Sequence, residues 1–504
     1  MFAKNLMSPR LRLALLATIS LFPAAASAGE SVSRPGVLHL SLDDAIRMAL
    51  AKNFSIEVSR YSPQIARERV TSALGRFDPN FTARWNSSED TRRDFFLGAQ
   101  WHRSQTAIAQ SDSASVGFDG ITPWGLRYDA GLSTDLFSGT SNRFNEDYAS
   151  RVSISVNQPL LRGAGTAANL FSVRIARNNV LVSEWSLQQR AIDILTETVR
   201  VYNELHQAHE NLRVAERSRA LAQQTLDDNI KRADIGVMSP LNITTARAEV
   251  ASREENVIFA QRQMKNNENF LKQLVTADLQ PMLTIQVEIE IPPSPAFRAD
   301  VNAGIATAME NRPDYRAALI ELEQRHITLA FEKNAALPRL DLTGSLRLLG
   351  FDNDAGTSLD RLTKRDQTQW SAGAIFSVPI PNREGRGAAN AARLSAAQGL
   401  VDLQRLEQQI VVDVDNASGQ IIAARQRIAS TAEASKLAQE SLDAGEERLR
   451  AGTGTTFEVL ELQKRLVEAE YAQLRARADY NEAVNTYYKQ TGITLRQYRV
   501  SIGK

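Results

Sequence analysis

Apolar residues recur at intervals of seven over long stretches of the chain. Ile243, Val250, Val257, Met264 and Leu271 give five successive heptad positions, and Leu460, Val467 and Leu474 repeat the spacing later. Leu195, Val199, Tyr202, Leu205 and Leu212 mark an apolar stripe on an earlier segment. This periodicity predicts coiled-coil helices. It places helices at about 42–74, 166–233, 240–275, 301–337, 386–451 and 456–490. The second of these would be ~100 Å long at 1.5 Å per residue. Helices of that length lie side by side in a bundle or tube.

Between residues 80 and 157 the pattern changes. Ser, Thr, Asn, Gly and aromatics replace the Ala/Glu/Arg/Leu mixture, and alternation of period two appears in Phe81–Trp85, Val116–Phe118 and Val152–Val156. Twelve of the 33 aromatics fall within residues 77–151, as the interfacial girdles of a membrane barrel would require. Barrel strands are therefore expected at about 79–159 and 339–379. Thr122-Pro-Trp-Gly125 reads as a turn, 138–147 as an exposed loop, and 352–356 as a loop in the second strand region. The polar segments 135–147 and 352–366 are expected to face the outside.

The chain is also duplicated. Arg232-Ala-Asp-Ile-Gly-Val-Met-Ser239 recurs 216 positions later as Arg448-Leu-Arg-Ala-Gly-Thr-Gly-Thr455. Each copy is a sharp turn between two helices. Gly236 and Gly452 stop one helix, because glycine tolerates the left-handed conformation that ends helices. Ser239 and Thr455 cap the next, with Pro240 at its first position and Glu458 at the spacing of a capping box. Ala45–Asn53 matches Gly304–Arg312 at an offset of 259, which also carries Pro79 onto Pro338. Val156-Asn-Gln-Pro-Leu160 matches Phe376-Ser-Val-Pro-Ile380. Both copies follow one plan of helix, strand pair, helix, tip turn and helix. The first repeat spans 29–277, a proline-rich linker 278–300, the second repeat 301–491 and a tail 492–504.

Composition adds a compartment. Lys4, Arg10 and Arg12, the apolar run Leu13–Leu21 and Ala26-Ser-Ala28 form a secretory signal over residues 1–28. No cysteine is present, so an exported chain must rely on packing or oligomerisation for stability. The net charge of +1 gives no reason to expect nucleic acid as a partner. After the signal no apolar run of about 18 residues occurs, so any membrane span is built of strands.

Few residues suggest chemistry. Gly163, Gly165 and Ala168 spell Gly-x-Gly-x-x-Ala, but a dinucleotide fingerprint needs a compact βαβ unit, and here a very long helix follows. A glycine-rich corner recurs at the matching place of the second copy, Gly385 and Gly387, so both corners are better read as architecture, with Pro159 and Pro379 at the ends of the strands. His206 and His209, flanked by Glu204 and Glu210, lack a third fixed ligand and suit a coiled-coil seam. No catalytic constellation is found. The reading is a non-enzyme without cofactor or metal.

With the signal, the duplicated plan, Gln158-Pro-Leu-Leu-Arg-Gly-Ala-Gly165 and the paired tips, nearly the whole mature chain resembles the TolC family of outer-membrane efflux and type I secretion proteins. The resemblance implies a mainly α fold with a β-barrel portion. It implies a homotrimer whose 12-stranded barrel in the outer membrane of a Gram-negative bacterium continues as an α-helical coiled-coil tunnel through the periplasm. Physical reasoning reaches part of this alone. Two strand pairs give four strands, too few to close a barrel, and an open edge is not tolerated in lipid, so chains must share one. Two chains would give eight strands and three would give twelve; the resemblance selects three.

The implied function is a passive exit duct, coupled to a periplasmic adaptor (membrane fusion) protein and an inner-membrane transporter. The alternatives are a stand-alone porin-like channel and a soluble periplasmic coiled-coil scaffold. The resemblance places the adaptor contact at the tips: Gly236, Val237, Ser239 and Leu241 in one, Gly452, Thr453, Thr455 and Phe457 in the other. It makes Glu458 and Glu461 the periplasmic gate. Some relatives carry an arginine where Gly454 stands and an acid where Asn242 stands, so salt links that close the gate would be missing here or rebuilt with Arg232, Arg448 or Arg450.

Overall fold

The computed structural model describes residues 36–94, 105–236, 238–292, 297–365 and 367–500. The signal segment, Val237 and the linker residues Pro293 and Pro295 lie outside them. In chain order, β1 (Val37–Leu40) leads into α1 (Leu42–Lys52) and α2 (Phe54–Leu74). Four strands follow: β2 (Asn80–Asp94), β3 (Gln105–Ile121), β4 (Arg127–Gly139) and β5 (Asp147–Pro159). The short α3 (Gly165–Asn169) opens into α4 (Phe171–Asp234), and the first tip joins α4 to α5 (Pro240–Val275). The linker holds α6 (Leu279–Met282) and β6 (Gln286–Ile289). The second repeat runs through α7 (Val301–Asn311), α8 (Pro313–Ala335), β7 (Arg339–Asp352), α9 (Ala355–Lys364), β8 (Gln367–Ser377), α10 (Arg383–Arg450) and α11 (Thr456–Gln490), and α12 (Thr494–Gln497) follows.

The sheet stands at one end and the helical tips at the other. Strand order is β2-β3-β4-β5-β7-β8, antiparallel throughout. This corrects the expected two strand pairs: the described residues supply six strands to this sheet, and the first repeat holds two hairpins where the second holds one. The sequence masked the extra pair because Gly117, Gly120, Gly131 and a run of serines dilute the alternation of β3 and β4. The turn at Thr122–Gly125 is what reverses β3 into β4. There Gly125 adopts φ +99°, and a Cβ on it would lie 2.6 Å from the Gly163 carbonyl oxygen.

Through its middle the sheet has one apolar and one polar face. Phe81, Phe118, Ala130, Ile154, Leu346 and Trp370 form a single cross-strand row through all six strands. The neighbouring row on the other face, Thr82, Gly117, Gly131, Ser153, Arg347 and Gln369, has no large apolar side chain. Phe81, Phe118, Ile154, Leu346 and Trp370 are all exposed in the chain. Apart from the end of β5 and β7 that α9 covers, the sheet buries neither face yet segregates polarity between them, which suits lipid on one side and water on the other.

Toward the tips, α5, α4, α11 and α10 lie side by side, and toward the sheet α2, α4, α8 and α10. The heptad residues Val257 and Leu271 are buried against Ala215 and Leu205 of α4. Midway along the helices, β1 pairs in parallel with β6. Lys272 fixes this belt from complete burial: its Nζ lies 2.6 Å from Glu268 Oε1 and also reaches the Ile285 carbonyl. The same carboxylate oxygen accepts from the Val287 amide at 3.3 Å. The helix expected over 42–74 is broken at Asn53, whose side chain caps α2 and donates to the Leu274 carbonyl at 3.3 Å. Arg312, its counterpart in the second repeat, breaks α7 from α8 and reaches the carbonyl of Gln490, the counterpart of Leu274. The duplication thus extends to individual hydrogen bonds.

Candidate functional site: tips and corners

The second tip is a complete Schellman turn. The Thr453 amide donates to the Arg448 carbonyl at 2.9 Å and the Gly452 amide to the Leu449 carbonyl at 3.2 Å. Gly452 has φ +76° and Gly236 φ +78°, and nothing lies within 4 Å of a Cβ built on either, so glycine is needed for backbone conformation and not for space. In the first tip the Gly236 amide donates to the Ala233 carbonyl at 2.9 Å, and Ser239 Oγ accepts from the Leu241 amide at 3.3 Å. Gly454 is the close-approach residue instead: its built Cβ would meet the Leu449 amide nitrogen at 3.0 Å.

Thr455 Oγ1 accepts from the Glu458 amide at 3.2 Å, half of the expected capping box. The other half is absent because the Glu458 carboxylate turns to Arg448, 2.6 Å from its Nη1. Glu461 pairs with Arg465 one turn on, at 3.4 Å. Arg232 Nη1 donates to the Leu449 carbonyl at 3.2 Å, and Thr456 Oγ1 lies 3.3 Å from Asn229 Oδ1, so the two tips are tied into one unit. Arg450 turns back to Glu446 and Glu447 on its own helix.

Among the described residues, the tips leave three large apolar side chains in water: Ile235 is 74 %, Leu241 70 % and Phe457 72 % exposed. Leu241 and Phe457 were expected at the contact surface; Ile235 was not singled out, although its position just before the glycine that ends α4 was a usable signal.

At the sheet end, Pro159 closes β5, and Gly163 and Gly165 take φ +80° and +81°. The Gly163 amide donates to Asn334 Oδ1 at 2.8 Å, and Asn169 Nδ2 donates to the carbonyls of both glycines. The second corner turns at Pro379–Asn382, where the Asn382 side chain donates to the Ala336 carbonyl at 2.9 Å. Gly385 and Gly387 fall inside the first turns of α10, not in the corner. Gly385 packs against Asn382 and Ala336, whereas nothing in the structure requires glycine at Gly387. His206 and His209 are half-buried on α4, and burial is the main cause lowering both pKa values. Among the described residues, no group of three or more His, Cys, Asp or Glu is placed to hold a metal ion, and no helix is long and apolar enough to cross a membrane.

Comparison with known proteins places this architecture. The model of the family described as outer membrane efflux protein matches residues 123–277 and 304–492. The outer membrane efflux protein BepC of Brucella suis is 24 % identical over 346 residues, covering 68 % of this chain and 72 % of that protein. The solved CmeC outer membrane channel of Campylobacter jejuni superposes with a TM-score of 0.67 at 16 % identity, covering 97 % of this chain and 94 % of the other. The MtrE outer membrane channel of Neisseria gonorrhoeae gives 0.63 at 18 % identity, covering 97 % and 98 %. The chain belongs to the outer membrane efflux protein family, channels of the Gram-negative outer membrane that extend into the periplasm.

Proposed function

We propose that the protein is the outer-membrane exit duct of a tripartite efflux pump or type I secretion system. It assembles as a homotrimer and conducts substrates passively from periplasm to exterior. Its tips dock a periplasmic adaptor, which couples it to an inner-membrane transporter. The observation that carries this reading is the exposed apolar set Ile235, Leu241 and Phe457 at the end opposite the lipid-facing sheet. Exposed apolar side chains on a rigid turn are what a partner surface uses. The helices between tips and sheet, up to 68 residues and thus ~100 Å long, give reach that a porin working alone has no use for.

Glu458 and Glu461 form the gate in this reading. Three copies bring six carboxylates together at the tips, each tempered by its arginine within the chain. The Arg448–Glu458 link takes the place of the missing arginine at Gly454.

The test is deletion of the gene and complementation with wild type, Ile235→Asp or Leu241→Asp. Dye efflux and the culture supernatant are followed together with trimer content of the outer membrane. The tip variants should insert normally and fail to export. Normal export by both would refute adaptor docking at the tips. A deletion that only slows entry of small solutes would establish the porin reading.

A further inference from the structure

The six-stranded sheet ends in two open edges. Among the described residues, β2 pairs only with β3 and β8 only with β7, so each offers a row of unpaired N–H and C=O groups. β2 runs away from the helices and β8 runs back toward them. A copy that lays its β2 against the β8 of the next therefore continues the antiparallel alternation without a break. In lipid such edges must be paired.

The first repeat carries one hairpin more than the second, and β2–β3, at the edge of the sheet, is the pair that a twelve-stranded wall would leave out. Pro79 and Pro338 mark matching strand starts, and Pro159 and Pro379 matching ends, yet the first interval is about one hairpin longer. The family match in the second repeat starts at Gly304, the counterpart of Ala45, whereas in the first it starts at residue 123, immediately after β3. The hairpin nonetheless carries the polarity of a barrel wall. Phe81 and Phe118, with rings 5.1 Å apart, continue the apolar row of the other four strands, and Ala83 and Val116 continue the next through Leu132, Val152 and Leu348. A hairpin lying in the lumen or in solvent would gain nothing from an apolar face in register with its neighbours.

We propose that β2–β3 is part of the membrane wall, so that three copies close a barrel of eighteen strands instead of twelve. This rests on the trimer put forward above. Barrel diameter grows nearly in proportion to strand number, so the outer mouth is about half as wide again as that of a twelve-stranded wall. Discrimination between substrates is then left to the tips.

Cysteine cross-linking tests this, and the chain has no native cysteine to interfere. Thr82→Cys or Asn86→Cys is combined in one chain with Gln369→Cys, Ser371→Cys or Gly373→Cys, all on the polar face. A parallel set replaces the β2 cysteine by Ser133→Cys on β4. Short bismaleimides are applied to the membranes. The β2–β8 set should yield a ladder ending at trimer, and the β4–β8 set none. A ladder from β4–β8 alone would place the hairpin outside the wall and overturn the proposal. The wild-type protein keeps the question open to decision if substituted chains fold poorly: native mass reports the copy number, and strands counted around the barrel in an electron-microscopy map must number eighteen. A trimer with twelve strands refutes the proposal alone. A different copy number refutes the trimer.

Discussion

Phe457→Ala isolates the docking surface from the fold. Phe457 is 72 % exposed, which for an aromatic side chain of roughly 200 Å² leaves about 140 Å² in water. Its removal should change the stability of the free protein by no more than about 0.5 kcal/mol, the usual range for surface positions. Full coverage of that area by a partner is worth at most about 3.5 kcal/mol at 25 cal/mol per Å². Ordering and imperfect desolvation reduce this to about 1–2 kcal/mol, or about 5–30-fold in Kd per site. The assay is binding of the purified, detergent-solubilised adaptor to immobilised trimer by interferometry, with trimer mass checked in parallel. Phe457→Leu should retain most of the affinity. Trp370→Ala removes a comparably exposed aromatic from the sheet and should leave adaptor affinity unchanged. A change below about twofold for Phe457→Ala, with the trimer intact, would refute the argument from exposed area.

Gly452→Ala puts a Cβ at φ +76° where nothing crowds it, so the cost is backbone strain of about 1–2 kcal/mol, seen as earlier thermal dissociation; Gly452→Asn should cost less. Glu458→Gln with Glu461→Gln leaves Arg448 and Arg465 unopposed, and the reversal potential in planar bilayers should move toward anion selectivity; an unchanged potential would remove these carboxylates from the pore. Burial pushes Glu268 upward, but hydrogen bonds from Lys265 and Lys272 outweigh it and hold its pKa below the ordinary 4.5. The pair's contribution is therefore complete above pH 4.5 and is lost as pH falls through the folded value, and Lys272→Met, which leaves the buried carboxylate with the more exposed Lys265 as its one cationic partner, should cost up to about 3 kcal/mol in chemical denaturation at neutral pH and less in acid. Ser141→Cys and Thr363→Cys, both exposed beyond the strands, should react with an impermeant thiol reagent on intact cells. Ser358, in the polar segment 352–366, is unsuited to the same test, because it is buried with its hydroxyl donating to the Gly350 carbonyl and accepting from the Ser150 amide.

The sequence determined the helices, the tips and the duplication, because each rests on local rules: heptad spacing, a glycine at the helix stop, a hydroxyl cap and matched offsets. It located Gly236, Gly452, Ser239 and Thr455 because their work is done by their own backbone and nearest neighbours. The number of strands was not legible, since alternation in a two-sided sheet rich in Ser and Gly is weak within one strand. It becomes plain only when six strands are placed in register and Phe81, Phe118, Ile154, Leu346 and Trp370 fall into one row. The partner of Glu458 was undecided for a related reason: its spacing suits a cap, and only the folded hairpin brings Arg448, ten residues earlier, within 2.6 Å of its carboxylate. Likewise Asn53 and Arg312 look unrelated as residue types. Tertiary packing gives them one role, because each must satisfy the carbonyl group at the end of the helix that returns from its tip.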